Sequence, residues 1–248
     1  MAIKVSLFIP CIVDQFFPET GIAAFNLLQH LGCQVTYPAE QTCCGQPAFN
    51  SGYTDQAVML AEKHIDIFSE NDYVVAPSGS CVTMIKHQYE NLPISESLQN
   101  KLLNLKSRIY ELSEFSISIL NVNQWEGSFP AKVTYHDACH ALRELGIKQQ
   151  PRKLLSNING LELIEMDNSE TCCGFGGTFS VKYSGISSAM VSNKARWIKE
   201  SGADYVASSD SSCLMNINGY LRRHKIPVKS VHYVEILWHS IKNKQNPL

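Results

Sequence analysis

The chain has 248 residues, of which 44% are hydrophobic and 18% charged, and a net charge of −2. That length allows two domains of ordinary size with buried cores, and so weak a charge supplies no basic field for nucleic acid or an anionic membrane. No apolar run approaches the roughly 20 residues of a spanning helix. The N-terminus places only Lys4 before a short apolar stretch with no small-residue cleavage site, so a cytosolic location is expected. In that setting nine cysteines point to metal binding or redox work rather than disulfides.

Val5 to Pro10 predicts a buried first strand ending at Cys11. Pro18 then opens a helix whose apolar positions, Ala23, Ala24, Leu27 and Leu28, fit helical spacing towards a C-terminal Gly32. A short strand over 35–37 leads to Cys43-Cys44. Thr54 is expected to N-cap a helix carrying Ala57, Val58, Ala61 and Ile65, and a strand over 73–76 precedes Cys81. The segment 91–127 lies outside the cysteine pattern and predicts helices joining two halves, divided into residues 1–126 and 127–248. In the second half the expected order repeats. A strand over 133–135 ends at His136-Asp137-Ala138-Cys139-His140, and a helix end over 154–158 leads to a strand over 161–164. A helix over 187–200, a strand over 205–207, a helix from Cys213, and a last strand and helix over 228–241 follow. Alternating strands and helices favour α/β halves with mainly parallel sheets, whose sites form beyond the carboxyl ends of strands.

The cysteines carry a repeat. Cys11 precedes Cys43-Cys44-Gly45 with 31 residues between, and Cys139 precedes Cys172-Cys173-Gly174 with 32. Cys81 and Cys213 follow their pairs after 36 and 39 residues. Eight of nine cysteines thus form two sets of four in one order, the mark of an internal duplication. Cys33 stands outside both sets and is expected to pack as a small apolar side chain. Adjacent cysteines can meet one centre only where the backbone bends sharply, and Gly174, Gly176 and Gly177 permit such a bend.

Thiolates favour iron-sulfur clusters, zinc or copper(I), and four per copy satisfy a four-iron cluster or a structural zinc. Zinc knuckles commonly use Cys-x-x-Cys hooks, which are absent here, and ligands gathered from separate strand ends suit a large centre. An iron-sulfur assignment is therefore preferred for at least one copy, with zinc the alternative in the other. Flanking Cys139, His136, Asp137 and His140 offer hydrogen bonds to a cluster, a ligand or a proton relay, against the simpler reading of turn-capping side chains. His232 and Glu235 open the last helix, where packing and dipole effects are expected. The run Gly174-Phe175-Gly176-Gly177 lacks both the P-loop and the G-x-G-x-x-G order. No catalytic residue is assigned.

Longer motifs add a resemblance. Residues 43–48 (Cys-Cys-Gly-Gln-Pro-Ala) with Asn50-Ser51-Gly52-Tyr53, then Ser78-Gly79-Ser80-Cys81, residues 172–182 and Ser212-Cys213-Leu214-Met215-Asn216-Ile217 resemble the cysteine-rich CCG domain family over essentially the whole chain. That domain occurs twice in a component of heterodisulfide reductase and in the iron-sulfur subunits of glycolate oxidase and anaerobic glycerol-3-phosphate dehydrogenase. The pattern is most similar to the family's lactate utilisation branch. The resemblance implies an α/β fold of two tandem, pseudo-twofold-related CCG domains with mainly parallel sheets. It implies iron-sulfur clusters of the 4Fe-4S type on Cys11, Cys43, Cys44 and Cys81 and on Cys139, Cys172, Cys173 and Cys213. It further implies a cytosolic electron-transfer subunit of a complex oxidising L-lactate to pyruvate, partnered by two other lactate utilisation proteins, one with ferredoxin-like clusters. Many CCG domains end in Cys-x-x-Cys, whereas Ser78 and Asp210 stand three residues before Cys81 and Cys213 here. A four-thiolate cluster, or one with Asp210 as an oxygen ligand, fits this better than the five-thiolate cluster of heterodisulfide reductase. The competing readings are a zinc-stabilised structural or assembly module and a cluster-based thiol-disulfide reductase.

Overall fold

The computed structural model describes residues 2–242. The first half runs β1 (Lys4–Leu7), α1 (Cys11–Phe16), α2 (Pro18–His30), β2 (Gln34–Thr36), α3 (Gln46–Asn50), α4 (Thr54–Phe68), β3 (Val74–Ala76), α5 (Gly79–Thr83), α6 (Gln99–Arg108), β4 (Ile109–Glu111) and α7 (Leu112–Ser118). The second runs β5 (Ser128–Tyr135), α8 (Cys139–Leu145), α9 (Gln149–Ser156), β6 (Asn159–Leu163), α10 (Thr178–Lys182), α11 (Ser184–Glu200), β7 (Tyr205–Ser208), α12 (Ser211–Arg223), β8 (Lys229–His232) and α13 (Tyr233–Lys242). The two sheets have the orders β2-β1-β3-β4 and β6-β5-β7-β8. Every pairing in them is parallel. The central strands β3 and β7 are buried at every residue, as expected where helices cover both faces of a parallel sheet.

The segment 91–127 departs from its reading as linking helices. Ile109–Glu111 is the fourth strand of the first sheet, equivalent to β8, and α7 is equivalent to α13. Only α6 and the short turns before it lack a counterpart. Ile109 continues the helical spacing of Leu102 and Leu105, yet three residues of strand are enough to pair with Val74, Val75 and Ala76, so tertiary pairing overrides a local period. Thr54 also differs from expectation: it is the first residue inside α4, and no side chain caps that helix. Gly32 stands one residue beyond the capping Leu31, with φ of 85°, the left-handed position that favours glycine after a helix.

The halves interlock. Helix α2 packs on α13 and α9 on α7, while α5 packs on α8 and α1 on α12. Each contact has its reciprocal, which is the pattern of a pseudo-twofold axis. One apolar cluster draws Val5, Leu7, Leu27 and Phe115 from the first half and Val133, Tyr135, Leu154 and Leu237 from the second. Cys33 lies buried in that cluster, as expected. Gly79 and Ala141 pack closely between the halves: the Ala141 Cβ would lie 2.4 Å from a Cβ added at position 79.

A buried carboxylate also crosses between the halves. Glu111, fully buried, accepts a hydrogen bond of 2.7 Å from the Tyr233 hydroxyl. It also accepts from the Ser113 hydroxyl, and from the Ser113 N–H at 2.8 Å. Burial outweighs these donors and raises its pKa to about 7. The folded protein therefore favours the protonated acid, and stability falls as pH rises from about 4.5 to about 7, by on the order of 3 kcal/mol. Urea unfolding of Glu111→Gln should lose this dependence across that window while keeping the wild-type acid-side stability. A variant as pH-sensitive as wild type would count against it.

Candidate metal centres

Each thiol reaches its site from a feature already dictated by the chain. Cys11 and Cys139 open helices directly beyond β1 and β5, and Cys81 and Cys213 lie in the first turns of α5 and α12, beyond β3 and β7. The adjacent pairs sit on loops closed by Gly45 and Gly174, with φ of 85° and 84°. A Cβ at Gly174 would lie 2.9 Å from both the Ser187 carbonyl oxygen and the Met190 Cβ, so the turn is packed against α11 as well as left-handed. Each glycine N–H points back to the first cysteine of its pair, Gly45 to Cys43 Sγ and Gly174 to Cys172 Sγ, both at 3.4 Å.

In the first site Cys11 Sγ lies 3.5 Å from Cys43 Sγ, and Cys44 Sγ lies 3.4 Å from Cys81 Sγ. In the second, one His136 ring nitrogen, Cys173 Sγ and Cys213 Sγ lie within 4.8 Å of one another, and Cys139 Sγ is 3.9 Å from His140 Nδ1. All eight thiols line one cleft of about 140 Å³ between the halves. The structure thus gathers the two sets of four separately and opens both onto the same space.

The thiols are not equivalent. Hydrogen bonds from Cys11 and Cys44, helped by the Gly45 N–H, hold the Cys43 pKa down at about 3. Hydrogen bonds from Cys139 and Cys173 and the Gly174 N–H do the same for Cys172, at about 2. Cys11 and Cys139 are pushed far up, first by donating to those thiolates and then by burial. Cys44 and Cys173 are raised by the same hydrogen bonding and by burial.

The neighbours differ from a simple ligand roster. Asp210 has both carboxylate oxygens engaged across the interface: it accepts from Ser78 Oγ at 2.8 Å, Ser80 Oγ at 2.7 Å and the Ser80 N–H at 3.1 Å. Ser78 Oγ in turn accepts from the Cys81 N–H and caps α5. The two residues standing where other CCG domains place a fifth cysteine are therefore bonded to each other. Asp137 is held by Arg152 through two hydrogen bonds of 2.7 and 2.8 Å, a charge-paired arrangement rather than a free relay. His140 lines the cleft, and its carbonyl accepts from Thr83 Oγ1 of the first half. His136 is fully buried; the Ser169 backbone lies beside its ring, but neither ring nitrogen makes a hydrogen bond of good geometry. His232 accepts from the Val234 N–H, and Glu235 accepts from Thr20.

Two residues beside the sites escape sequence reasoning, His64 and Lys194, both buried. The helical pattern places each on the otherwise apolar face of its helix, beside Ala57, Ala61 and Ile65 in α4 and Val191, Ala195 and Ile198 in α11, but does not show what receives its polar end.

Comparison with known proteins identifies the repeated unit. The cysteine-rich domain family CCG matches residues 5–86 and again 133–218. Three similar relatives are each called lactate utilization protein A. That of Halalkalibacterium halodurans is 47% identical over 98% of this chain and 99% of its own length. That of Macrococcus caseolyticus is 46% identical over 94% and 96%, and that of a Geobacillus species 44% identical over 94% and 98%. A crystal structure of a hypothetical protein from Helicobacter pylori has a similar fold, with a TM-score of 0.68 over 98% of this chain at 14% identity. The chain spans about half of that protein, 49%.

The thiol asymmetry has a measurable result. In reduced, metal-free protein at pH 5, iodoacetamide should modify Cys43 and Cys172 ahead of Cys11, Cys44, Cys139 and Cys173, because a lowered pKa leaves the first two as thiolates while the other four are held protonated. Peptide mass mapping that finds Cys11 or Cys139 labelled first would contradict it.

Proposed function

We propose an electron-transfer role for this chain, which belongs to the cysteine-rich CCG domain family and, within it, to the lactate utilisation protein A group. Its part in lactate utilisation, in this reading, is that of an iron-sulfur subunit in a complex that oxidises L-lactate to pyruvate. The observation that carries the reading is the convergence of eight thiols, in two sets of four, on one cleft.

The donor set fits such centres. Cys11, Cys43, Cys44 and Cys81 would hold one, and Cys139, Cys172, Cys173 and Cys213 the other. Soft sulfur donors dominate each site, and the carboxylate that lines the cleft, Asp210, is already satisfied by serines. Iron-sulfur clusters bound there would supply reversible one-electron transfer. The protein's own contribution is positional. Cys43 and Cys172 are acidic enough to offer thiolates without an added base. The Gly45 and Gly174 N–H groups neutralise part of their charge. The interface contacts of Asp210 and Thr83 keep both sites facing the same space.

Two-electron oxidation of a 2-hydroxy acid ordinarily relies on a hydride-accepting cofactor. The strand ends where open α/β sheets bind nucleotides are taken here by cysteines. We therefore assign the first electron acceptor to a partner protein, and the onward passage of electrons to this chain.

A second reading, zinc in the second site, is favoured by one observation: His136, Cys173 and Cys213 lie close enough to ligate a single ion. Metal and sulfide analysis separates the two. Protein purified without oxygen should contain iron and acid-labile sulfide, and Cys43→Ser and Cys172→Ser should each lower both by about half. Stoichiometric zinc without sulfide in the second site would favour the second reading instead.

The division of labour is tested by lactate-dependent dye reduction. The reconstituted chain alone should be inactive or nearly so, and activity should appear on adding the other lactate utilisation proteins. Full lactate oxidation by the chain alone would make it the catalytic component.

A further inference from the structure

Equivalent positions in the two halves carry different side chains against the thiols. Phe8 and His136 occupy the same place at the end of the first strand of each half. The Phe8 N–H donates to the Val75 carbonyl at 2.9 Å, and the His136 N–H to that of Ala207 at 2.8 Å. Each stands three residues before the first cysteine of its set. His64 and Lys194 are likewise equivalent: the turn at Gly45 packs on Ala57 and Leu60 of α4, and that at Gly174 on Ser187 and Met190 of α11. Counting on from either contact brings His64 into register with Lys194.

The first site therefore has an aromatic ring and an imidazole, and the second an imidazole and an ammonium. His64 is packed between Phe8 and Phe68, with ring centroids 4.5 Å from each, and burial holds it neutral, its pKa lowered to about 3. Lys194 Nζ donates to the carbonyls of Asn168 and Ser169, at 2.7 and 3.1 Å, on the loop that leads into Cys172. Burial lowers its pKa only to about 8, opposed by the neighbouring Cys173, Asp137, Cys213 and Cys172, so it remains largely cationic at neutral pH. His136 is neutral, its pKa lowered to about 3 by burial and then by Lys194. A neutral imidazole has one N–H; no bond of good geometry commits it to the nearby Ser169 backbone, and the sulfurs of Cys173 and Cys213 are its other close polar neighbours.

We propose that the second centre, on Cys139, Cys172, Cys173 and Cys213, has the higher reduction potential of the two, and that Lys194 and His136 are the positioning residues that raise it. The proposal rests on the iron-sulfur reading above. Reduction adds negative charge to a buried thiolate-ligated centre. A nearby cation and a hydrogen bond to sulfur both stabilise that charge, and both act strongly where water is excluded. The other charges nearby do not cancel the difference. Asp137 is paired with Arg152, which also binds Glu165. Asp210 also acts on Cys139, but its carboxylate is bonded to Ser78 and Ser80 beside Cys81 of the first site, so it does not burden the second site alone.

The test is a potentiometric titration of anaerobic, cluster-loaded protein with dithionite, followed by electron paramagnetic resonance. Signals are assigned to the two centres through Cys43→Ser and Cys172→Ser. The second centre should be reduced first. Lys194→Met should shift its midpoint to lower potential and leave the first centre where it was. His136→Phe should shift it in the same direction. That substitution installs the side chain already accommodated at the equivalent position of the first half, so it keeps the test decisive if Lys194→Met fails to fold. Iron and sulfide at wild-type levels with the first centre reduced first, or with the second midpoint unmoved by the substitutions, would overturn the proposal alone. Protein lacking iron and sulfide would overturn the iron-sulfur reading, and the proposal with it.

Discussion

Two consecutive side chains can serve one centre only if the backbone turns back between them, and the architecture here is arranged around meeting that demand twice. The turn needs a residue in the left-handed region, supplied by Gly45 and Gly174, where an L side chain is strained. At Gly174 it also needs the space that a Cβ would take from α11. Once the turn is made, the freed N–H of the glycine points at the first sulfur of the pair, so the bend that gathers the ligands also stabilises a thiolate. The second cysteine of each pair is anchored through its carbonyl, to the Tyr89 hydroxyl in the first half and to Asn216 Nδ2 in the second, both at 2.9 Å.

Parallel sheets make the rest of each site inexpensive to assemble. Their strands all end on the same side, so a cysteine placed just beyond β1 and another just beyond β3 arrive together without further design. Interlocking of the halves through α2 with α13 and α7 with α9 turns two separate strand-end clusters towards one cleft. Within this shared scaffold the side chains behind the thiols were free to diverge, and Phe8 against His136 and His64 against Lys194 show that they did.

The fold and the ligand set were legible because they are written in periodicities and repeats. The order and spacing of eight cysteines pointed to the duplication, and strand-end positions pointed to where the thiols would meet. What depends on contacts distant in sequence was not legible. Ile109 belongs to a helical spacing through Leu105, and only pairing with Val74 reveals the strand. Asp210 reads as a spare oxygen ligand three residues before Cys213, and only the folded chain shows its oxygens given to Ser78 and Ser80, some 130 residues earlier. Lys194 is hidden for a different reason. A lysine on a helix is ordinarily a solvated residue, and its burial follows from two carbonyls on the loop before Cys172 that no local pattern announces.

The contact between Ser78 and Asp210 also breaks the symmetry of the halves. The two are equivalent residues, each the N-cap of the helix bearing its half's last cysteine. Equivalent residues that touch must lie on the pseudo-twofold axis. In a dimer of two identical half-length chains that axis would set serine against serine or aspartate against aspartate. The second pairing buries two like charges together, which is costly. A hydroxyl donating to a carboxylate across the axis is available only when the two copies are free to differ. The contact therefore depends on the divergence of the two copies: neither half, paired with a second copy of itself, could rebuild it.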